Sequence, residues 1–361
     1  MDVTGLLIVV GKVLFITFVV LNFGAIMTWA ERKQAALIQD RIGPNRINIG
    51  GFKLLGLIQP IADGIKMIMK EDFIPAGAHK LYHTLAPAIA MFPALVGLAV
   101  IPFGPSFDAG GRHIDLQVAN LDVGILFVLA VSSLGVYGIA LAGWASNNKY
   151  SLLGTVRATA QMISYEIPMG LSIIGIVMTY GTLELNKIVD LQGEYFRLGG
   201  IGVLPKWGIF YQPLGFILLF TALIAETKRT PFDLPEGESE LVAGYNVEYS
   251  GMKWGMFFLG EFASIVVVSA LIATLYLGGW QVPYVHLTAL PVLPRILLGL
   301  ISFFGKVVVL CFLQLLIRWT LPRFRYDQLM DLGWKRLLPL AIVNVPITAV
   351  WLWVLGGFKL G

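Results

Sequence analysis

The chain is poor in charge and nearly free of cysteine. Of its 361 residues only 13% are Asp, Glu, Lys or Arg, and 57% are hydrophobic; soluble globular domains carry roughly 25% and 45–50%. A water-soluble fold is excluded as a class, and the soluble enzymes with it. The single cysteine, Cys311, excludes a disulfide framework, and equally a four-thiolate iron–sulfur cluster or zinc site built by this chain alone. Any redox centre it serves is carried elsewhere. The formal charge of +4 is too weak for a nucleic-acid binder. Phosphate-cradling loops and serine-hydrolase elbows are missing as familiar patterns. No internal repeat or low-complexity segment stands out, so residues 1–361 read as one membrane domain.

What is present is long apolar runs, with a mean hydropathy of +0.78 over the whole chain. They predict an all-α, polytopic membrane protein with eight transmembrane helices at 5–30, 84–103, 121–144, 161–180, 208–225, 254–277, 296–319 and 338–355. Eight spans leave both termini on one side. The first loop carries Arg32, Lys33, Arg41, Arg46, Lys53, Lys66, Lys70 and Lys80, and the seventh Arg318, Arg323, Arg325, Lys335 and Arg336. The whole opposite side carries only Arg112, Lys187, Arg197, Lys206, Arg295 and Lys359. The positive-inside bias therefore makes the odd loops cytoplasmic and puts both termini outside. The first span reads as an uncleaved start, too long for a signal peptide and without a small-residue cleavage site.

Segment 52–69 places Phe52, Leu55, Leu57, Ile58, Ile61, Ile65 and Ile68 at mostly helical spacing, opposite Lys53, Asp63, Lys66 and Lys70. It is too polar to span. The pattern fits an amphipathic helix on the cytoplasmic leaflet, and equally a surface helix packed on the spans; the two are compatible.

Ionisable residues inside a bilayer cost several kcal/mol and call for a partner, a hydrated cavity or a function. Glu166 lies in the fourth span, where Gln161, Ser164 and Tyr165 form a polar stripe able to support water. Glu226 ends the fifth span, Glu261 lies in the sixth, Lys306 in the seventh and Lys12 in the first. Three carboxylates on the cytoplasmic halves of neighbouring spans suggest a proton or cation path. The alternative is that Glu166 or Glu261 pairs with Lys306 to fasten helices. The loop 227–253 is dense in carboxylates, including Asp233, Glu236, Glu238, Glu240 and Glu248, interleaved with Phe232, Leu234, Leu241, Tyr245 and Tyr249. That alternation predicts an ordered surface against a partner, with Asp233, Glu236 and Glu240 as a helix-start cluster. His79 and His83 have the i, i+4 spacing of a metal pair but no Glu-x-x-His, so they read as surface histidines, with no metal site expected.

Two stretches then carry a resemblance: Gly56-Leu-Ile-Gln59-Pro-Ile-Ala-Asp63-Gly-Ile-Lys66-Met-Ile-Met-Lys70-Glu71, and Pro231-Phe-Asp233-Leu-Pro-Glu236-Gly-Glu238-Ser-Glu240-Leu-Val-Ala-Gly244. With Glu31-Arg32-Lys33, Arg41-Ile-Gly-Pro-Asn-Arg46, 143–154, 248–253 and 325–328, they resemble the H-subunit family of bacterial NADH:quinone oxidoreductase. That family is the counterpart of the first mitochondrially encoded component of respiratory complex I.

The resemblance implies a heel position in the inner membrane, where a membrane arm meets a peripheral arm. Quinone, the substrate, would enter between the first and sixth spans and the amphipathic helix. Flavin and iron–sulfur clusters would sit on peripheral quinone-module subunits over the cytoplasmic loops, with small membrane-arm subunits alongside and no cofactor bound here. Arg32, Arg41 and Arg46 would frame the quinone passage, with Asp63, Phe232 and Asp233 at its chamber; a lipid-phosphate role fits Arg41 and Arg46 as well. Glu166, Glu226 and Glu261 would form the chain of intramembrane carboxylates, with Glu236, Glu238 and Glu240 nearer the chamber. Some relatives carry a glutamate in the third span where this chain has Ser132-Ser133-Leu134; either Ser133 or water would replace that step, or the route would differ. The family also shares a five-helix unit, here spans two to six, with antiporter-like subunits. Other readings are a membrane subunit of a related hydrogenase or of a quinone reductase with another donor, a free-standing ion antiporter, and a purely structural heel.

Overall fold

The computed structural model describes residues 3–48, 51, 53–109, 112–198, 201–285 and 290–354. Phe52, at the start of the amphipathic segment, and Leu355, at the end of the eighth expected span, lie outside them. The fold is mostly helical, and among the described residues six helical stretches are long and apolar enough to cross a membrane, the last running from Tyr326 to Val354.

Helix α1, Val3–Ile38, continues past residue 30 because the next turns, through Glu31-Arg32-Lys33-Gln34-Ala35-Ala36-Leu37, contain strong helix formers and no proline or glycine. Its 36 residues extend about 54 Å, well beyond a hydrocarbon core of roughly 30 Å. A short 3-10 turn, Leu54–Gly56, leads into α2, Gln59–Met69, with Pro60 in its first turn where no backbone donor is needed. On α2, Ile61, Ile65 and Ile68 form an exposed apolar row. Helix α3, Lys80–Gly97, is followed by an antiparallel hairpin of β1, Gly104–Ala109, and β2, Arg112–Leu116, with Phe107 opposite Ile114.

Helix α4 spans Gly124–Ala145 and α5 Lys149–Tyr180. The latter begins a dozen residues before the expected span because Asn148 caps it, its side chain accepting from Tyr150 N–H at 2.9 Å. It ends at Gly181, whose φ of +67° is the left-handed helix stop. After α6, Leu185–Gln192, a second hairpin pairs β3, Tyr195–Leu198, with β4, Ile201–Pro205. Both hairpins are additions to the expected all-α fold. Their strands of four to six residues are too short for a period-2 pattern to stand out.

The fifth apolar run is broken into α7, Gly208–Tyr211, and α8, Pro213–Glu226. Gln212 leaves helical geometry (φ −135°, ψ 56°), and Pro213, which has no N–H, starts the second piece. Downstream lie α9, Glu238–Leu241; α10, Gly251–Tyr276; α11, Val292–Thr320; α12, Tyr326–Asp331; a π-helical turn, Leu332–Leu337; and α13, Leu338–Val354. Helix α10 is the central post, buried along most of its length and packed on α1, α3 and α11. Helix α5 packs on α4, α8 and α13. The core between them is mainly aliphatic, with Tyr165, Phe262 and Tyr276 buried in it, and the many exposed large apolar side chains on α1, α11 and α13 mark a surface made for lipid.

Candidate functional site

Two regions gather the chemistry. The first is a pocket of about 390 Å³ lined by Arg32, Arg41, Gly43, Pro44, Arg46 and Gln59. Arg32 pairs with Asp63 at 2.7 Å, and Gln59 Nε2 donates to the other Asp63 oxygen at 2.9 Å. Arg41 Nε donates to Gln39 Oε1 at 2.7 Å. The three arginines thus share one concave cationic surface, and Asp63 is already committed to one of them. Gly56 makes this packing possible: its φ is +88°, and a Cβ there would collide with the Pro44 carbonyl oxygen. Trp29 Nε1 also donates to Leu55 O at 3.1 Å, tying α1 to the same turn.

The second region lies beneath the acidic loop. Arg229, 5% exposed, reaches Glu31 of α1 at 3.1 Å and Glu261 of α10 at 2.6 Å, and its guanidinium covers the Phe262 ring at 4.1 Å. Arg318 of α11 completes the pairing of Glu31 at 3.1 Å. Buried charges are tolerable only in such a mutually paired set. Neither Glu31 nor Arg229 stands out in the sequence as a site residue, since each falls just past the end of an expected span, where charge is ordinary.

A cavity of about 100 Å³ adjoins this chain of charges, lined by Ser132, Glu226, Lys228, Tyr245, Glu261 and Ser264 among apolar residues of α3, α4 and α10. One Glu226 oxygen, Oε2, is buried there without a hydrogen-bond partner among the described residues. Such a cavity has room for several waters, each needing on the order of 10–15 Å³ of this kind of space. The wall contains Ser132, not Ser133, whose hydroxyl donates to Ala130 O within its own helix. Glu166 is close enough to Glu226 to act on it electrostatically but is not part of the wall.

The acidic loop is folded onto this cavity. Tyr245 Oη donates to Glu236 Oε1 at 2.7 Å and Asn246 Nδ2 to the same oxygen at 2.8 Å, while Lys228 Nζ donates to Tyr245 Oη at 3.2 Å. Burial pushes the Tyr245 phenol well up and the Lys228 ammonium down, with Glu261 and Glu236 pulling the ammonium back up. Asp233 pairs with Arg323 at 2.9 Å, yet burial and then Glu236 outweigh that pair and lift its carboxyl to about 7. Glu240 pairs with Arg157 at 2.7 Å in the open. The side chain of Glu238 lies outside the described positions. Phe232 is 3% exposed, wedged between Tyr165 and Phe324, and lines neither the pocket nor the cavity.

Several polar residues serve the fold instead. Gln161 Nε2 donates to Ala225 O at 2.7 Å and Phe232 O at 2.9 Å, Tyr165 Oη to Leu329 O at 2.8 Å, and Ser164 to Ala160 O. The expected water-bearing stripe is spent on backbone acceptors. Lys306 pairs with neither Glu166 nor Glu261; its Nζ donates to Gly279 O at 2.8 Å and Gln281 O at 2.6 Å. Its alternative role as their fastener is thereby corrected, since Arg229 takes Glu261. His83 is buried, not superficial, stacked on Tyr249 at 4.1 Å with Nε2 3.2 Å from Glu248 O. His79 leans on Tyr82 and Trp144.

Together these features define a multi-pass helical membrane protein with ion-paired carboxylates buried under a folded acidic loop, beside a cationic surface pocket. The family model described as NADH dehydrogenase matches residues 11–349. Among similar curated proteins are two H-type subunits of NADH-quinone oxidoreductase, each the one numbered 1 in its organism. That of Geobacter metallireducens is 50% identical over 96% of this chain and 95% of its own length, and that of Cytophaga hutchinsonii 49% identical over 94% of each. The H-type subunit of Thermomicrobium roseum is 48% identical over 94% of each. The chain belongs to the NADH dehydrogenase family.

Proposed function

We propose that this chain is the membrane subunit of a bacterial NADH-quinone oxidoreductase in which quinone reduction is converted into proton movement. One observation carries the reading. Adjacent residues of α1 face the two regions: Arg32 lines the cationic pocket, and Glu31 is linked through Arg229 to Glu261 at the cavity. A charge arriving at the pocket is one residue away from the buried ionic chain.

In this reading the chain is one membrane domain of the inner membrane, crossing it eight times with α1, α3, α4, α5, the α7–α8 pair, α10, α11 and α13. The arginine-rich and acidic loops are cytoplasmic and both termini are outside. Helix α2 lies on the cytoplasmic leaflet with Ile61, Ile65 and Ile68 toward lipid. Quinone enters from the bilayer beside α1, α2 and α10. The pocket of Arg32, Arg41 and Arg46, with Asp63, holds its polar head; Asp233, paired with Arg323 in the acidic loop, acts on it by charge, and Phe232, wedged between Tyr165 and Phe324, braces that loop instead of lining the passage. Flavin and iron–sulfur clusters on partner subunits over the cytoplasmic loops supply electrons, and small membrane subunits pack alongside.

Quinone takes two electrons and two protons to become quinol. While electrons arrive before protons, its negative charge draws protons toward Asp233, Glu236, Glu238 and Glu240. A unit charge at about 4 Å acts with on the order of 4 kcal/mol at an effective dielectric near 20, enough to change which carboxylate holds a proton. The shift passes to Glu226 and Glu261 at the cavity, to Glu166 close by, and on to neighbouring membrane subunits.

The test is gentle solubilisation of native membranes, purification through this chain, and assay of NADH-driven quinone reduction with identification of the co-purifying subunits. Flavin and iron–sulfur partners with that activity are expected. A nickel–iron partner with hydrogen-linked activity, or a lone chain that exchanges ions in liposomes, would contradict the reading.

A further inference from the structure

Lys228 sits where the acidic loop meets the cavity. It lies two residues beyond α8 and carries a φ of +57°, a left-handed conformation that is strained for a residue with a Cβ and that glycine adopts freely. Strain of this kind persists where the surroundings hold the residue in place. Here it directs the ammonium: Nζ is 3.2 Å from Tyr245 Oη and 4.9 Å above that ring, on the wall shared with Glu226 and Glu261. Tyr245 Oη in turn donates to Glu236 Oε1 at 2.7 Å. An unbroken donor–acceptor line therefore runs from the cavity to the loop.

We propose that Lys228 and Tyr245 are the proton bridge between the cavity carboxylates and the acidic loop, an inference that rests on the coupling reading above. In the step, one proton leaves Lys228 Nζ for Tyr245 Oη as the proton already on Oη passes to Glu236 Oε1. Lys228 ends as a neutral amine, Glu236 as a neutral carboxylic acid, and Tyr245 with one hydroxyl hydrogen as before; no electrons move. The amine then regains a proton from Glu226 or Glu261 through water in the cavity, and the phenol turns back.

The surroundings suit this role. Glu261, Glu236 and Asp233 hold the ammonium while Arg229 opposes it, so the charge balance around Nζ shifts with any change on the loop. Burial already favours the neutral amine. The Tyr245 ring is held edge-on by Phe257 at 5.5 Å, so its position does not depend on its hydroxyl. A lysine serves where an arginine would not, because a guanidinium stays protonated at any working pH.

Lys228→Arg and Tyr245→Phe are compared with Glu226→Gln in the whole complex in native membranes. Assembly is quantified, and NADH oxidation by ferricyanide, which bypasses quinone, is the control. The bridge predicts that both variants assemble and keep the ferricyanide rate while quinone-linked turnover falls roughly tenfold or more, with the solvent deuterium isotope effect on the remaining rate increased. If both match the wild type while Glu226→Gln fails, the bridge is wrong and the coupling reading stands. If all three match the wild type, the coupling reading itself is wrong. Should Lys228→Arg fail to assemble, the near-isosteric Tyr245→Phe decides alone.

Discussion

Arg229 Nε stands 2.6 Å from Glu261 Oε1, and the same guanidinium reaches Glu31 at 3.1 Å. Three charges from the start of the acidic loop, the central helix and the first helix are thus fixed by one side chain. Arg229→Met leaves Glu31 partly paired through Arg318 but strips Glu261 of its ion pair. Removing one partner of a buried pair costs about 3–5 kcal/mol, so the amount of assembled complex on native gels should fall sharply. Adding Glu261→Gln to the same variant should restore part of it, because the orphaned charge is then gone.

Asp233 makes the acidic loop sensitive to pH. Its carboxyl titrates at about 7 in the folded chain against an ordinary value of 3.8. Between those values the native state holds more protons than the unfolded one, so stability falls as pH rises through that window. Asp233→Asn should flatten this fall. Apparent melting temperatures of the purified complex, taken stepwise across the window between those two values, check it: the wild type loses stability relative to the variant as pH climbs, and parallel curves would refute the assignment.

Gln161 bridges the last carbonyls of α8 and the acidic loop, donating to Ala225 O and Phe232 O. Gln161→Leu keeps the volume and removes both bonds; Ala225 O keeps the Lys228 N–H, while Phe232 O becomes an unpaired buried acceptor, a loss of about 1–3 kcal/mol. The loop should detach before the bundle melts. Limited proteolysis is expected to cut within 227–253 in the variant under conditions that spare the wild type.

Gly56 sets the shape of the cationic pocket. A methyl group there meets the Pro44 carbonyl oxygen, and the φ of +88° is unfavourable for any other residue. Gly56→Ala should displace the 41–46 segment and raise the KM for quinone several-fold, with the ferricyanide rate intact. An unchanged KM would mean that the arginine pocket does not meet the quinone head.

The apolar runs made the membrane class and the main helices legible, because burial in lipid is written in hydropathy. Helix ends were less so. Helices α1 and α5 run on through charged residues that hydropathy reads as loop, and the break at Gln212–Pro213 falls inside an apolar run. The carboxylates were visible because each is conspicuous in an apolar stretch. Their partners were not: Arg229 and Lys228 look like ordinary loop charge, and only the fold carries them to Glu261 and Tyr245. Conversely, Gln161 and Tyr165 looked like water ligands because their acceptors, Ala225 O, Phe232 O and Leu329 O, are far away in sequence.

If quinone reduction drives protons through the buried carboxylates, the protonation of Glu226 changes when the quinone is reduced. Infrared difference spectra of the purified complex, recorded between oxidised and NADH-reduced quinone, test it most directly. A carboxyl C=O signal that appears with quinone reduction in the wild type and vanishes in Glu226→Gln is expected. Identical difference spectra from the two proteins, at equal quinone reduction, would contradict it.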